Sequence, residues 1–591
     1  MFLRTVKARG GGGVQHEYVR LVETVREGDK TKQRVVANLG RKDLLAPHLE
    51  SLMRILGAGP EAATDGALKS DDVHAQQASC WGPMLGARTL WRELGLESIL
   101  DGCERAHRRS DRVALSDRAL VLVANRLCEP HSEHGLAGWL ETDFVCDRLG
   151  ERMLPVWKQQ ARVRVDLTWL QRWYRTLDEL MAHKTTIEKE LFARLRDLFS
   201  LKPEMVFYDL TSSYFEGRGP AIAEHGYSRD GKPHNRQVLV GMVMVNGWPI
   251  AHHVFRGNLL DHQTVATVLD DLHKRFGLER VVFVGDRGMV TGANVTLLRD
   301  RKQGYLVGLQ RRQRARVDGF IAKATGPWIE CPVGLTAQEK AAPPKTLVQE
   351  VAGEEPGVRI FIVHSEERLA YERAMRERSM QHTRVALDKL AARVAKGKLK
   401  AADKIGEAAA RILARNHGHR YYDWKLQAGA FEFFEHSNFE RERAFEGKYV
   451  IQTEEPSLTP VAAVQAYKQL SEVERGFRSL KDVIDMRPIF HRKTSRVQAH
   501  IFVAALAFLL ERALENKLKA ASVPMSAPHA LEMLKTIHVV DISVGTTTKR
   551  GTTAGNSRAR QILAALSITN KDPPAGNSKG QCDDKPGIGD Q

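Results

Sequence analysis

Apolar positions along the chain fall into two rhythms. Met205-Val206-Phe207-Tyr208 and Val281-Val282-Phe283-Val284-Gly285 are short apolar runs, the pattern of buried strands, and an aspartate closes each: Asp209 and Asp286. Between them, Arg236 to Val245 and Trp248 to Phe255 read as two more strands, and Asn246-Gly247 between those two is a strong hairpin signal. Roughly Asp261 to Phe276 reads as a helix. A second, longer helix is expected from Thr459, a suitable N-cap, and Pro460, suited to the first helical position, to about Asp485. At about 100° per residue, Val473, Phe477, Leu480 and Ile484 line one apolar stripe of that helix. Glu474 falls at its edge, between Tyr467, Lys481 and Arg478, while Glu472 points away and is expected to be solvated.

Three meandering strands, a helix and a fourth strand is the order of a ribonuclease-H-like core. In that order the first and fourth strands are neighbours, which would bring Asp209 beside Asp286. Two carboxylates at strand ends and one on a nearby helix can hold a pair of divalent metals for in-line attack at phosphorus. The bland alternatives are an unrelated α/β domain with strand-end aspartates and an ordinary amphipathic helix with a charged shoulder. Val284-Gly285-Asp286-Arg287-Gly288 is not a dinucleotide fingerprint, because the third glycine and the ribose carboxylate are missing. No nucleophile elbow is present either.

From Asp209 to Asp286 is 77 positions, and from there to Glu474 is 188. The second gap is too long for a loop, so an inserted domain is expected at 310–440. It should contain strands near 305–363, a long basic helical stretch near 365–416, and strands again. The expected fold is thus a multidomain α/β chain. Residues 1–43 form a small β-hairpin unit, with Tyr18 to Glu23 pairing with Lys32 to Leu39. Residues 44–199 should be mostly helical, and the cluster of Arg105, Arg108, Arg109 and Arg112, which could face phosphates, makes them the candidate DNA-binding region. The catalytic core takes 200–309 and 441–520, a C-terminal module 521–566, and a disordered tail 567–591, rich in Gly, Pro and Asp.

The net charge of +17 suits a protein that lies along phosphates. Arg311 and Arg312, with Arg314 and Arg316, open the insertion and could track a DNA backbone; a solvated loop is the alternative. The six cysteines include no CxxC pair, so neither a zinc finger nor a disulfide framework is expected, which fits a reducing cytoplasm. Met1 to Val14 holds no signal-peptide core. The longest apolar stretch, about Ile501 to Leu510, is short for a bilayer and reads as a buried helix, so no membrane role is expected.

Tyr467, Leu470, Glu474 and Lys481 follow the spacing Y-(2)-R-(3)-E-(6)-K, with leucine in the arginine position. Phe207-Tyr208-Asp209-Leu210-Thr211 and Gly285-Asp286-Arg287-Gly288-Met289 look like the two aspartate blocks of the same family. Gly257-Asn258 with Asp261 and Thr264, and Arg487-Pro488-Ile489 followed by His500, fit as well. Over roughly residues 15–565 the chain resembles the DDE transposases of bacterial insertion sequences in group four and its relatives. The resemblance implies Asp209, Asp286 and Glu474 as the metal-binding catalytic triad, with two Mg²⁺ ions for which Mn²⁺ can substitute. It implies Tyr467 and Lys481 as holders of the DNA backbone near the cleaved phosphate. Leu470 cannot bind phosphate, so that role is either lost or taken by Arg475 or Arg478, with Arg478 preferred because it shares the face of Glu474 one turn on.

The function so implied is cleavage at the terminal inverted repeats of an insertion sequence and joining of the 3′ ends to target DNA. The expected partners are double-stranded DNA, both ends and target, and a second copy of the chain in the synaptic complex. The expected location is the bacterial cytoplasm, on the nucleoid when DNA is bound. Two alternatives stay open: a ribonuclease-H-like nuclease without strand transfer, and a catalytically inactive, transposase-derived DNA-binding protein.

Overall fold

The structure, a computed structural model, describes residues 2–9, 15–27, 30–41, 73–105, 113–155, 167–201, 203–286, 289, 291–309, 314–332, 344–415, 417–427, 429–437, 439–544 and 547–574. It is a mixed α/β structure with 15 α-helices among those residues.

The chain opens with a three-stranded antiparallel sheet of β1 (Phe2–Arg9), β2 (Gln15–Glu27) and β3 (Lys30–Arg41). β2 and β3 pair where the hairpin is expected, Glu23 opposite Arg34, and β1 adds a strand the sequence pattern does not announce. A strand also interrupts the region expected to be helical: β4 (Val73–Cys80). Helices α1 (Gly82–Glu93), α2 (Leu96–Arg105), α3 (Leu115–Cys128), α4 (Leu136–Thr142) and α5 (Leu167–Phe199) follow. Arg108, Arg109 and Arg112 lie outside the described residues.

The central sheet holds β5 (Met205–Tyr214), β6 (Gln237–Val245) and β7 (Trp248–Arg256) as an antiparallel meander. Every residue of β6 is buried, because the strand is covered on both faces and is apolar throughout except Gln237. Asn246 and Gly247 both take positive φ, 50° and 78°, as the two-residue turn between β6 and β7 requires. Helix α6 (Val265–Phe276) leads to β8 (Val282–Gly285), parallel to β5 on the side away from β6. Helix α7 (Gly292–Asp300) then leads to β9 (Gly304–Gly308), parallel to β8. The first and fourth strands of this unit are therefore neighbours, in the order β7-β6-β5-β8-β9.

Residues 310–440 do not form one separate body. After α8 (Arg314–Ala322), the strands β10 (Ile329–Glu330), β11 (Thr346–Ala352) and β12 (Arg359–Ser365) extend the same sheet. They reach β9 through β15 (Lys448–Thr453), giving nine strands. A second core lies in the sequence between β12 and β15. Helices α9 (Glu366–Ala395) and α10 (Ala402–Arg415) pack there on the hairpin of β13 (Tyr422–Gln427) and β14 (Ala430–Glu435), followed by the short α11 (Phe439–Ala444).

Helix α12 (Pro460–Asp482) carries Thr459 at its N-cap, whose hydroxyl accepts from the Ala462 amide at 3.2 Å. It ends three residues before Asp485, which takes a positive φ of 52°. The expected stripe of Val473, Phe477, Leu480 and Ile484 is buried, as is Leu470. At Gly476 a Cβ would stand 2.7 Å from the Phe508 ring, so the missing side chain lets α12 approach α13 (Thr494–Ala520). α13 is much longer than the apolar stretch that marks it. By length and composition it could cross a membrane, but its most apolar window is 83% buried within the protein, where it packs on α3, α5 and β7.

The last segment, α14 (Ala527–Leu534), β16 (His538–Val544), β17 (Thr547–Thr552) and α15 (Ser557–Ala565), is joined to the early part of the chain. β16 pairs with β4 on one side and β17 on the other. Of the segment expected to be a disordered tail, residues 567–574 make defined contacts, and 575–591 lie outside the described residues. The Trp81 indole donates to the Lys571 carbonyl at 2.8 Å and Thr552 donates to Asp572 at 2.7 Å.

Candidate active site

Asp209 lies in the middle of β5, not at its end, and is half-buried. The strand runs on because Leu210-Thr211-Ser212-Ser213 continue the ladder with β6. Asp286 immediately follows β8 and is exposed, and Glu474 stands on the exposed side of α12. Parallel pairing of Tyr208 with Gly285 brings Asp209, in the middle of β5, beside Asp286, just past the end of β8. α12 packs across β5 and β8 and supplies the third carboxylate.

The three groups feel one another. Burial pushes the Asp209 carboxyl up to about 7, and the charges of Asp286 and Glu474 push the same way against the Leu210 amide and Arg229. Glu474 is raised by partial desolvation and by Asp286, with Arg478 opposing. Mutual repulsion of this kind marks a site short of positive charge. The donor set is three carboxylates, hard oxygen ligands of the kind that Mg²⁺ and Mn²⁺ accept, and the residues present fit a divalent cation.

The remaining expected residues fall around this point. Tyr467 is half-buried and stacks on Tyr449 with centroids 5.8 Å apart. Lys481 donates to Asp230 at 2.7 Å, and burial lowers its pKa. Arg475 is paired with Glu472 at 3.1 Å, whereas Arg478 is exposed and has no ion pair among the described residues. Arg311 and Arg312 lie outside the described residues; Arg316 bonds Glu354 at 2.8 Å. Glu472 departs from its expected solvation. It is half-buried and also bonds Arg512 of α13 at 3.1 Å, because α13 covers the flank of α12 that a single-helix projection leaves open.

Sequence reading missed a polar frame behind the carboxylates. Arg229 donates to both oxygens of Asp261 at 2.6 Å, its amide bonds Ser212 at 3.0 Å, and its charge reaches Asp209. Asp230 is buried and takes Lys481 and Arg487 together. Tyr208 donates to Thr264 at 2.9 Å, and Thr264 to the Asp261 carbonyl at 2.7 Å. The signal lay in Arg229-Asp230, a charged pair inside an otherwise turn-rich connection, but nothing in its spacing says where it points.

A second group, Glu133, His491 and His500, has ligand atoms within 4.8 Å of one another. It does not suit a metal. His500 Nε2 faces the Met486 carbonyl at 3.1 Å and Nδ1 faces the Arg126 guanidinium at 3.4 Å, so both nitrogens are taken and a cation is already present. Burial, with Arg126 and His491 close by, drives the His500 pKa down. The group ties α3 and the segment after it to the start of α13.

Residues 200–510, more than half the chain, match the family model described as the transposase DDE domain. With β5, β8 and α12 bringing three carboxylates together, that match defines the class: the chain belongs to the DDE transposases. Residues 3–65 match the model described as the N-terminal domain of IS1634 family transposases, which supports an insertion-sequence transposase of that kind. No curated protein matches the sequence. Among solved structures, the chain is similar to a chain of the cryo-EM structure of a piggyBac transposase synaptic complex with hairpin DNA. That match has 12% identity, covers 87% of this chain and 90% of that one, and has a TM-score of 0.31, too low to bear on the fold. The activity that goes with the family is transposition, and the class is metal-dependent.

Proposed function

We propose that this protein cuts DNA at the terminal inverted repeats of its insertion sequence and joins the freed 3′ ends to target DNA. The observation that carries the reading is the convergence of Asp209, Asp286 and Glu474, where burial and the charges of the other two raise the pKa of Asp209. The five strands β7-β6-β5-β8-β9 have the order and directions of a ribonuclease-H-like core, and we assign them that fold.

Asp209, Asp286 and Glu474 would hold two Mg²⁺ ions, or Mn²⁺ in their place, which when bound activate the attacking oxygen and stabilise the leaving one. The protein's own part is to fix those carboxylates. Leu210 holds one Asp209 oxygen through a 2.7 Å bond from its amide, which leaves the other to face a ligand. Arg478, exposed, without an ion pair among the described residues and one turn beyond Glu474, would take a phosphate oxygen of the DNA, the role Leu470 cannot fill. Tyr467 and Lys481 would steady the backbone, Lys481 exchanging Asp230 for phosphate. Arg311 and Arg312 would add contacts at the start of the insertion, and residues 44–199 would bind the element ends. Two ends must be brought together, so a homodimer is the working assembly.

The test is nicking of a labelled duplex carrying the element's own terminal repeat, with Mg²⁺, by wild type, Glu474→Gln and Glu472→Gln. Loss with Glu474→Gln and retention with Glu472→Gln support the triad. Equal loss in both, or wild-type binding without metal-dependent products, rejects it.

A further inference from the structure

Helix α9 carries a second charged surface, far in sequence from the three carboxylates. Its buried side is set by Thr383, Leu387, Leu390 and Val394, which face α10 and the β13–β14 hairpin. At about 100° per residue, the arc of α9 opposite that side carries Arg378, His382, Lys389 and Arg393, with Lys396 continuing the line at its C-cap. All five are exposed, and Tyr371 and Met375, exposed at 66% and 46%, extend the same arc toward the base of the helix. No acidic residue falls on this arc from Tyr371 to Lys396. Glu372, Asp388 and Glu377 lie about 60°, 80° and 100° beyond its edges around the helix.

Nearer the base the cations are spent internally: Arg368 bonds Glu372 at 2.9 Å and Arg376 bonds Glu446 at 2.5 Å. Arg378, Lys389, Arg393 and Lys396 have no ion pair among the described residues. Lys389 and Arg393 stand four apart and Arg393 and Lys396 three apart, spacings at which like charges destabilise a helix. The strip thus works against the stability of its own helix, and the second core holds it in place regardless. From Arg378 to Lys396 it spans about 27 Å at about 1.5 Å per residue, somewhat less than one turn of duplex DNA, about 34–36 Å. A rigid line of cations without interspersed acids matches a rigid polyanion of that repeat better than it matches a mixed-charge protein surface.

We infer that the outer face of α9 is a sequence-independent docking strip for duplex DNA, gripping phosphates in addition to those held at the three carboxylates. This rests on the transposase reading. The experiment measures binding of the full-length protein to two duplexes, an element end and an unrelated sequence, over a range of salt. The variant Arg378→Ala/Lys389→Ala/Arg393→Ala/Lys396→Ala should flatten the slope of log K against log salt by about 3–4 on both duplexes, since backbone contacts carry no sequence information. Should that variant fold poorly, the halves Arg378→Ala/Lys389→Ala and Arg393→Ala/Lys396→Ala should each flatten it by about 2. Arg373→Ala/Arg384→Ala, on the flank beside Glu377 and Asp388, should leave it unchanged. A wild-type slope in the strip variants, or equal flattening by the flank variant, overturns the inference and leaves the transposase reading standing. Wild-type protein that binds neither duplex overturns both.

Discussion

Replacing Asp209 by asparagine should stabilise the metal-free protein, and by an amount that depends on pH in a specified way. The carboxyl is raised from an ordinary value of 3.8 to about 7 by burial and by its two acidic neighbours. The folded state therefore holds this proton more tightly than the unfolded state does. Between about pH 4 and 7 the folded protein binds more protons, so its stability falls as pH rises through that window. A rise of that size sets a ceiling of about 4 kcal/mol; because Asp209 is only half-buried, about 2–3 kcal/mol is expected. The asparagine would keep the shape and can still accept from the Leu210 amide, but it never ionises. Thermal unfolding of both proteins in EDTA, stepped from pH 4 to 8, should show curves that coincide near pH 4 and separate by pH 8, the variant higher. Adding Mg²⁺ at pH 8 should then raise the wild type alone. A separation that does not change with pH, or a variant less stable than wild type at pH 8 in EDTA, would refute the reasoning.

Asp230→Asn should leave Lys481 and Arg487 facing each other without their buried anion; a loss of about 3 kcal/mol is expected in denaturant unfolding, as for other broken buried pairs. Ending the chain after Asn570 should strand the Trp81 indole, which is 1% exposed and donates to Lys571. The cost should be about 1–3 kcal/mol, read as a lower melting temperature.

The central strands and α12 were legible because burial on both faces leaves near-continuous apolar runs, and a one-sided helix leaves a stripe. Asp209 and Asp286 stood out because each breaks such a run, although the run stopping at Tyr208 made Asp209 look like a strand end when the ladder continues through polar Thr211, Ser212 and Ser213. The partners of a residue on another element were not legible. Glu472 looked solvated on its own helix, and only α13, through Arg512, covers it. Arg229 and Asp230 acquire their roles from residues more than 30 and 250 positions away. β4 was hidden for the same reason. Val73–Cys80 is short and mixed, and it is a strand because β16, more than 450 residues later, supplies its hydrogen bonds.

That last pairing has a consequence for biosynthesis. A ribosome makes β4 early and must add residues 81 to 537 before β16 begins to emerge. Throughout that time β4 has an unpaired edge, and Trp81, which sits beside it, lacks the segment that covers it. The contacts of greatest sequence separation close last, since the chain between them must first be ordered. The DDE domain is thus bracketed between two strands that complete each other only at the end, and a nascent chain carrying all three carboxylates still lacks the clasp that holds its first helices to its last.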